Sequence, residues 1–150
     1  MAASNRKIEE QVRYADGKLY WVNPRKKSLI GKECGNLPKS TDYRVMKCEN
    51  KKKFVHHVIW YLHKGSWPDS SMNIDHINMN KQDNRIENLR QVTRRVNSLN
   101  NKAENVSLSR NKWRAVVAQV HLGVFSNRDE AVQVAQLYKK SIISKETSYG

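Results

Sequence analysis

An aspartate and a histidine stand side by side at positions 75 and 76, and an asparagine follows at position 97. Carboxylate and amide oxygens suit Mg²⁺, which prefers oxygen donors and keeps water and phosphate oxygens as its other ligands. An imidazole is a natural general base, because its pKa lies near neutrality. Asp75, His76 and Asn97 therefore have the residue types that metal-assisted hydrolysis of a phosphodiester requires. The Asp-His pair alone also fits an ordinary turn or a surface hydrogen bond.

The residues around this set predict a strand, a polar loop, a second strand and a helix. Thr93 is a good N-cap for a helix that begins at Arg94 and contains Asn97. In a compact ββα unit the helix packs back across the two strands, so the three side chains are expected to converge. The predicted first strand, loop and second strand are residues 72–77, 78–88 and 89–92.

Upstream of this unit, apolar positions recur at helical spacing from Phe54 to Lys64, and Gly65 is expected to end that helix. Asp16-Gly17 is a turn signal between short strand patterns. The remaining predictions for this region are a polar N-terminal arm at 1–13, strands at 18–22 and 43–48, and a charged turn at 49–53.

The C-terminal third has a different pattern. Residues 102–110 are expected to be a polar linker, and a strand over 112–120 and a short one over 122–125 are predicted after it. Ser126 is the predicted N-cap of the last helix, with Asp129 completing a capping box.

The composition points to a polyanionic partner. The chain has 28 Lys and Arg against 14 Asp and Glu, a net charge of +14. Such a field attracts nucleic acid, or alternatively an anionic membrane surface. The sequence has neither an apolar run of the ~20 residues that a membrane span needs nor a secretion signal, so a cytoplasmic protein is expected. Cys34 and Cys48 are expected to be free thiols, with a shared metal site as the alternative.

The segment IDHINMNKQDNRIENLRQVTRRVN at 74–97 resembles the HNH homing-endonuclease motif that is common in phage genomes. The three signature positions fall on His76, Asn88 and Asn97, at spacings typical of that family. VHHVIWYLHKGSWP also resembles the family's helix before the motif, although His-Arg is more usual where this chain has His56-His57. The resemblance covers about residues 14–101.

The resemblance implies a role for each residue of the set. His76 would activate the attacking water, and Asp75 and Asn97 would bind one Mg²⁺ or Mn²⁺ that stabilises the leaving 3′ oxygen. Asn88 would brace the loop between the strands. The expected products carry 5′-phosphate and 3′-hydroxyl ends.

Three further residues have two possible roles. Arg94 and Arg95 share the predicted helix of Asn97 and could meet backbone phosphates, or they could be solvated helix charges. His56 could orient the site or a substrate phosphate, and a role in helix packing is an equal alternative.

Residues 107–140 resemble the DNA-binding domain of plant ethylene-response factors. The matching features are Lys112-Trp113-Arg114-Ala115 on a strand, Leu122-Gly123 and Phe125, and Glu130-Ala131 opening a helix. The family's Lys-Gly-Val before the strand is absent. The resemblance implies DNA contacts from a small sheet. Because side chains alternate along a strand, Trp113 is expected on the face opposite Lys112 and Arg114, where packing in the core is an equal alternative. The candidate contacts are Arg110, Lys112, Trp113 and Arg114.

These observations predict an α+β protein with a ββα-metal core and a small hairpin-and-helix module. The predicted segments are an arm at 1–13, a nuclease domain at 14–101, a linker at 102–110 and a DNA-binding module at 111–145. The expected function is metal-dependent hydrolysis of double-stranded DNA by a monomer that uses no small-molecule cofactor. The alternatives are a non-catalytic DNA-binding protein or regulator derived from such an enzyme, a basic structural or RNA-binding protein, and an RNA-directed nuclease.

Overall fold

The computed structural model describes residues 6–148, which combine small antiparallel sheets with four α-helices. The chain divides into two compact units, Met1–Gln91 and Val92–Gly150, each with a hydrophobic core. This division falls inside the segment expected as the nuclease domain. Within the described residues, no helix is long and apolar enough to cross a membrane.

The first unit begins with a short helix and a hairpin. The helix α1 (Ile8–Gln11) leads into strands β1 (Val12–Ala15) and β2 (Lys18–Trp21), which pair antiparallel. Asp16 and Gly17 form the turn with φ values of 44° and 78°, the left-handed conformation that a two-residue hairpin turn requires. Only part of the predicted N-terminal arm is described, because residues 1–5 lie outside the described range.

A second hairpin replaces the charged turn predicted at 49–53. Strand β3 (Val45–Cys48) pairs antiparallel with β4 (Lys51–Phe54), and only Glu49 and Asn50 form the turn between them. The turn prediction was wrong for residues 51–53 because consecutive lysines look like a loop. In a two-stranded sheet, however, the charged ends of such side chains can still reach water.

The helix α2 (Val55–Lys64) follows, as predicted from the apolar spacing. Its buried face carries Val55, Val58 and Ile59, and Gly65 ends the helix in the left-handed conformation with φ of 75°. Strand β5 (Met72–His76) pairs with β6 (Leu89–Thr93), and the long loop between them ends in a short 3₁₀ helix. Both strands were predicted, and Ile74 and Leu89 join α2 in the core of the first unit.

The second unit begins near helix α3 (Arg94–Leu99). Thr93 is its N-cap, as predicted, and the Thr93 hydroxyl accepts a hydrogen bond from the backbone N–H of Val96 at 3.2 Å. Three strands then form an antiparallel sheet in the order β7 (Val106–Ser109), β8 (Lys112–Val117) and β9 (Val120–Phe125).

Helix α4 (Arg128–Thr147) packs against this sheet, and Ala115, Val117, Ala131 and Ala135 are buried between them. Three predictions fail here. The strand expected over 112–120 is divided, because Ala118 and Gln119 form a left-handed turn between β8 and β9. The polar stretch expected as a linker contains β7, whose serines lie exposed at a sheet edge. The N-cap of α4 is Asn127, whose side chain accepts from the backbone N–H of Asp129 at 2.7 Å, so the predicted cap at Ser126 lies one residue early.

Two glycines offer a matched test of this packing. Gly35 and Gly31 have similar φ values, 82° and 80°, but a Cβ on Gly35 would lie 2.6 Å from the Val45 carbonyl oxygen, whereas one on Gly31 would meet nothing within 4 Å. We expect Gly31→Ala to lower the free energy of unfolding by about 1 kcal/mol, through the left-handed backbone alone. Gly35→Ala should cost about 3 kcal/mol, because overpacking adds to that term. Equal losses in urea unfolding would contradict the close approach of Gly35 to β3.

Candidate active site

Asp75 and His76 are the last two residues of β5, and both side chains are buried. Arg90 on the paired strand β6 donates two hydrogen bonds to one oxygen of Asp75, from Nε at 3.0 Å and from Nη2 at 2.8 Å. The Asp75 side chain is 7% exposed. Arg90 therefore supplies a cation beside this buried carboxylate and fixes its orientation.

His76 is held by an asparagine from the loop that follows. The Nε2 atom of His76 lies 2.8 Å from Oδ1 of Asn84, and both residues are buried. An amide oxygen can only accept, so Nε2 carries the hydrogen and donates it. In the neutral ring, Nδ1 then has the lone pair, and it is the nitrogen that can take up a proton.

Asn88 hydrogen-bonds across the loop at both ends of its amide. Its Oδ1 accepts from the backbone N–H of Asn78 at 3.0 Å. Its Nδ2 donates to Oδ1 of Asn78 at 3.0 Å and to the Asp83 carbonyl at 2.8 Å. Arg85 and then Asn78 hydrogen-bond to the Asp83 carboxylate and hold its pKa far below the usual range. These contacts fold the loop that carries Asn84.

Two rings pack against His76, one from His56 on α2 and one from Tyr43 in the segment before β3. The ring centroids of His56 and Tyr43 lie 5.1 Å and 5.9 Å from that of His76. Burial, with smaller contributions from His57 and His76, lowers the pKa of His56 to about 2. His56 is therefore neutral at physiological pH and belongs to the packing around His76. The pKa of His57 is also lowered, mainly by burial.

Asn97, Arg94 and Arg95 belong to the second unit, where α3 is tied to α4. Glu146 of α4 accepts a hydrogen bond from the Thr93 hydroxyl at 3.0 Å, and its other oxygen lies 3.6 Å from Nη1 of Arg95. Arg94 and Arg95 are exposed. The structure thus brings Asp75, His76 and Asn88 together in the first unit, and the convergence of Asn97 with them stays a prediction.

A buried lysine of α4 holds the segment after α3. Lys139 is 3% exposed, and its Nζ donates to the Asn101 carbonyl at 3.0 Å, to Oδ1 of Asn101 at 3.1 Å and to the Ala103 carbonyl at 3.0 Å. Burial lowers the pKa of Lys139. Both flanks of α3 are therefore fixed by side chains of one helix.

The DNA-binding candidates on the three-stranded sheet divide between its two faces. Lys112 and Arg114 are exposed, and Arg110 lies in the tight turn before β8. Trp113 points the other way, is half-buried against the core of the second unit, and has the Arg128 guanidinium 5.6 Å from its ring centroid. Trp113 therefore has the core-packing position that the sequence left open as an alternative.

The donor atoms near Asp75 fit a hard divalent ion better than a structural zinc. Among residues 6–148, no three His, Cys, Asp or Glu side chains are clustered so that they could hold a metal. A structural zinc site needs four such ligands, whereas Mg²⁺ is held by one or two carboxylates with water and phosphate oxygens. Asp75 supplies such a carboxylate.

The two cysteines take no part in this chemistry. Cys34 and Cys48 are buried free thiols, as predicted. Burial is the main cause that raises the pKa of Cys34 to about 12 and that of Cys48 to about 11, so neither forms a thiolate near neutral pH.

Asn84, Arg90 and Glu146 are site-supporting residues that the sequence pattern did not single out. Asn84 and Arg90 lie inside the quoted motif, and strand pairing gives Arg90 a place beside Asp75. The residue type of a loop asparagine does not predict which side chain it will hydrogen-bond, so the contact of Asn84 with His76 could not be inferred. Glu146 lies far from Thr93 in the sequence, and the residues around either position do not predict that the two side chains are in contact.

The hydrogen bond from His76 to Asn84 predicts a tautomer. In the folded protein with a neutral ring, His76 should be protonated at Nε2, and Asn84→Ala should populate both tautomers because the acceptor is lost. ¹⁵N chemical shifts of the His76 ring measure this ratio directly. Asn80→Ala is the matched control, because Asn80 is exposed in the same loop and its side-chain oxygen accepts from the Gln82 backbone N–H and not from a histidine. An unchanged tautomer in Asn84→Ala would refute the role of that amide.

Comparison with known proteins gives one match. No curated protein and no solved structure matches the chain. Residues 53–99 match the family model described as HNH endonuclease, a segment that includes α2, both strands of the β5–β6 hairpin and α3. That match supports an HNH nuclease that acts on DNA.

Proposed function

We propose that this protein is a metal-dependent HNH endonuclease that hydrolyses phosphodiester bonds of double-stranded DNA, with His76 as the general base. The observation that carries the proposal is the buried pair Asp75-His76 at the end of β5, each member held by its own polar partner, Arg90 and Asn84. We further propose that it is a phage homing-type enzyme acting in the host cytoplasm.

In this mechanism His76 acts through its Nδ1 atom. Nδ1 takes a proton from a water molecule, whose oxygen attacks the phosphorus as the bond to the 3′ oxygen breaks. The 3′ oxygen leaves and takes a proton from solvent water, and the His76 imidazolium then returns its proton to solvent, giving 5′-phosphate and 3′-hydroxyl ends. Asn84 stabilises the imidazolium that forms, because its Oδ1 continues to accept from Nε2. The aromatic rings of Tyr43 and His56 restrict how the imidazole can turn.

Asp75 and Asn97 are the residues that would hold the divalent ion, which we propose to be Mg²⁺ with Mn²⁺ as a substitute. When bound, the ion supplies Lewis-acid stabilisation of the charge on the phosphate and the leaving oxygen. Arg90 contributes by fixing the orientation of the Asp75 carboxylate. Asn88 contributes by holding the loop from which Asn84 reaches His76.

DNA contacts are proposed for both parts of the second unit. Arg94 and Arg95 would meet backbone phosphates beside Asn97, with Arg95 shared between phosphate and Glu146. Lys112 and Arg114, on the exposed sheet face, together with Arg110 in the adjoining turn, would extend the contact along the duplex. Phosphate contacts of this kind add affinity without reading the sequence. A monomer with a single active site is expected to nick.

The direct test is cleavage of supercoiled plasmid in Mg²⁺ or Mn²⁺. We expect nicked circles, complete loss of cutting in EDTA, and a loss of about 10³-fold in rate for His76→Ala, because a general base contributes about that much. His63→Ala is the matched control, since His63 is an exposed histidine whose ring contacts Ile59 of its own helix and Tyr14 and lies outside the candidate site. Absence of cutting on any DNA, with intact salt-sensitive binding, would favour the non-catalytic DNA-binding alternative.

A second test addresses the support of α3. We expect Glu146→Ala to raise the metal concentration needed for half-maximal cleavage by about tenfold, because outer contacts orient metal ligands. DNA binding measured in EDTA should not weaken, because loss of Glu146 leaves Arg95 free to meet phosphate. Glu130→Ala, the same substitution on an exposed residue of α4, should behave like the wild type. An unchanged metal requirement in Glu146→Ala would show that α4 does not position Asn97.

A further inference from the structure

A cavity of about 230 Å³ lies in the first unit, and its lining residues lie outside the β5–β6 hairpin. One side of the cavity is formed by the end of β2 and the loop that follows it. The other side is formed by the turn of the β3–β4 hairpin. Trp21, Pro24 and Leu29 give it apolar surface. Its polar lining consists of Arg6, Gln11, Arg25, Lys26, Lys47, Glu49 and Asn50.

The charge around this cavity is strongly positive and is not neutralised within the described chain. Four cations and one carboxylate line it. Among residues 6–148, Arg6, Arg25, Lys26 and Lys47 form no ion pair with any carboxylate. Cations held around one concavity repel one another, and an anion that enters relieves this repulsion.

The walls of the cavity are already ordered by the backbone. Trp21 exchanges main-chain hydrogen bonds with Lys32 at 3.0 Å and Gly31 at 2.7 Å, which fixes the loop at both ends. The backbone N–H groups of Val22 and Asn23 donate to the Gln11 carbonyl at 2.9 Å and 3.2 Å. Binding there would therefore order little additional backbone.

Size and lining together select the ligand. A free phosphate would need only the cations, and it would make no use of the apolar surface that Trp21 and Leu29 present beside them. An indole beside positive charges suits a flat ring that carries a phosphate, since base stacking on aromatic side chains is favourable for any base. The volume lies below the ~300 Å³ at which sites for drug-sized ligands begin, so it suits one nucleotide and not a longer segment.

We propose that this cavity binds one unpaired nucleotide of a DNA strand, with the base against Trp21 and the phosphate among Arg25, Lys26 and Lys47. The choice of DNA among polyanions rests on the proposed nuclease function. The cavity would add a second place on the protein where the substrate DNA is bound. Such a site would capture an end, a flap or a locally opened base pair of the substrate. It would do so without any contribution from His76 or the metal.

The test is an NMR titration of the full chain, in EDTA, with the single-stranded oligonucleotide dT4. We expect the indole N–H of Trp21 and the amides of Arg25, Lys26 and Lys47 to shift together, with one binding constant. Trp21→Phe identifies the indole signal. Inorganic phosphate and a blunt twelve-base-pair duplex, titrated over the same range, test the two alternative sources of the phosphate.

Charge reversal adds a second measurement. Arg25→Glu/Lys26→Glu should weaken dT4 binding about tenfold, which corresponds to about 1.4 kcal/mol. Lys39→Glu/Lys140→Glu makes the same change in net charge on exposed residues that do not line the cavity, and should retain binding. If the first variant does not fold, the shift map of the wild type decides alone.

Two results would overturn the proposal. One is that dT4 leaves the Trp21 indole and its cationic neighbours unshifted. The other is that phosphate alone, or the blunt duplex, shifts them as strongly as dT4 does. Because no cleavage is measured, binding of dT4 by a protein that cuts no DNA would sustain this site and refute only the nuclease. Cleavage of DNA by a protein that does not bind dT4 would sustain the nuclease and refute this site.

Discussion

The hydrogen bond between His76 and Asn84 is the contact on which the candidate site depends. A histidine that is 3% exposed cannot leave a ring nitrogen unpaired without a large desolvation cost, so burial requires an acceptor for Nε2. Asn84 supplies it from a loop that has no strand or helix to fix it. The rest of that loop is accordingly held by amide contacts, with Asn88 and Asp83 at their centre. Its asparagines thus follow from the burial of one imidazole.

The second constraint is the placement of α3. The helix that carries Asn97 is capped by Thr93, and α4 holds its start through Glu146 and the segment after it through Lys139. The matched family segment, 53–99, therefore crosses the division between the two compact units. If Asn97 binds the metal, the C-terminal part of the chain is a component of the nuclease and not an appended DNA anchor. Its removal would take away the support of a metal ligand together with the DNA contacts.

The sequence predicts elements well where local signals agree with one another. Helix α2 has an apolar period and a terminal glycine, and α3 has a threonine cap, and both lie where those signals put them. Strands β4 and β7 were missed because lysine and serine runs resemble loops, whereas pairing with a neighbouring strand decides their conformation. The cap of α4 was displaced by one residue because Ser126 and Asn127 are equally good caps by type.

For the candidate site, the spacing of the motif singled out the residues with reactive groups but not the contacts that support them. Asp75 and His76 are recognisable by type, while Arg90, Asn84 and Glu146 act through partners that only the folded chain brings near. The cavity beside Trp21 was even less predictable from the sequence, because its lining residues come from several separated segments and none of these segments has a recognisable motif.

Six of the chain's 14 carboxylates form ion pairs among the described residues, which leaves most of its 28 lysines and arginines without a carboxylate partner there. Asp75, Asp83 and Glu146 each hold an arginine, and Glu33 holds Lys18 and Arg44. The cations that line the cavity are among those with no carboxylate partner in the described range. The excess stays uncompensated around the cavity and on the exposed face of the three-stranded sheet, where Lys112 and Arg114 lie. Uncompensated charge attracts polyanions over about 8 Å at physiological ionic strength, so both surfaces would attract DNA before any specific contact forms.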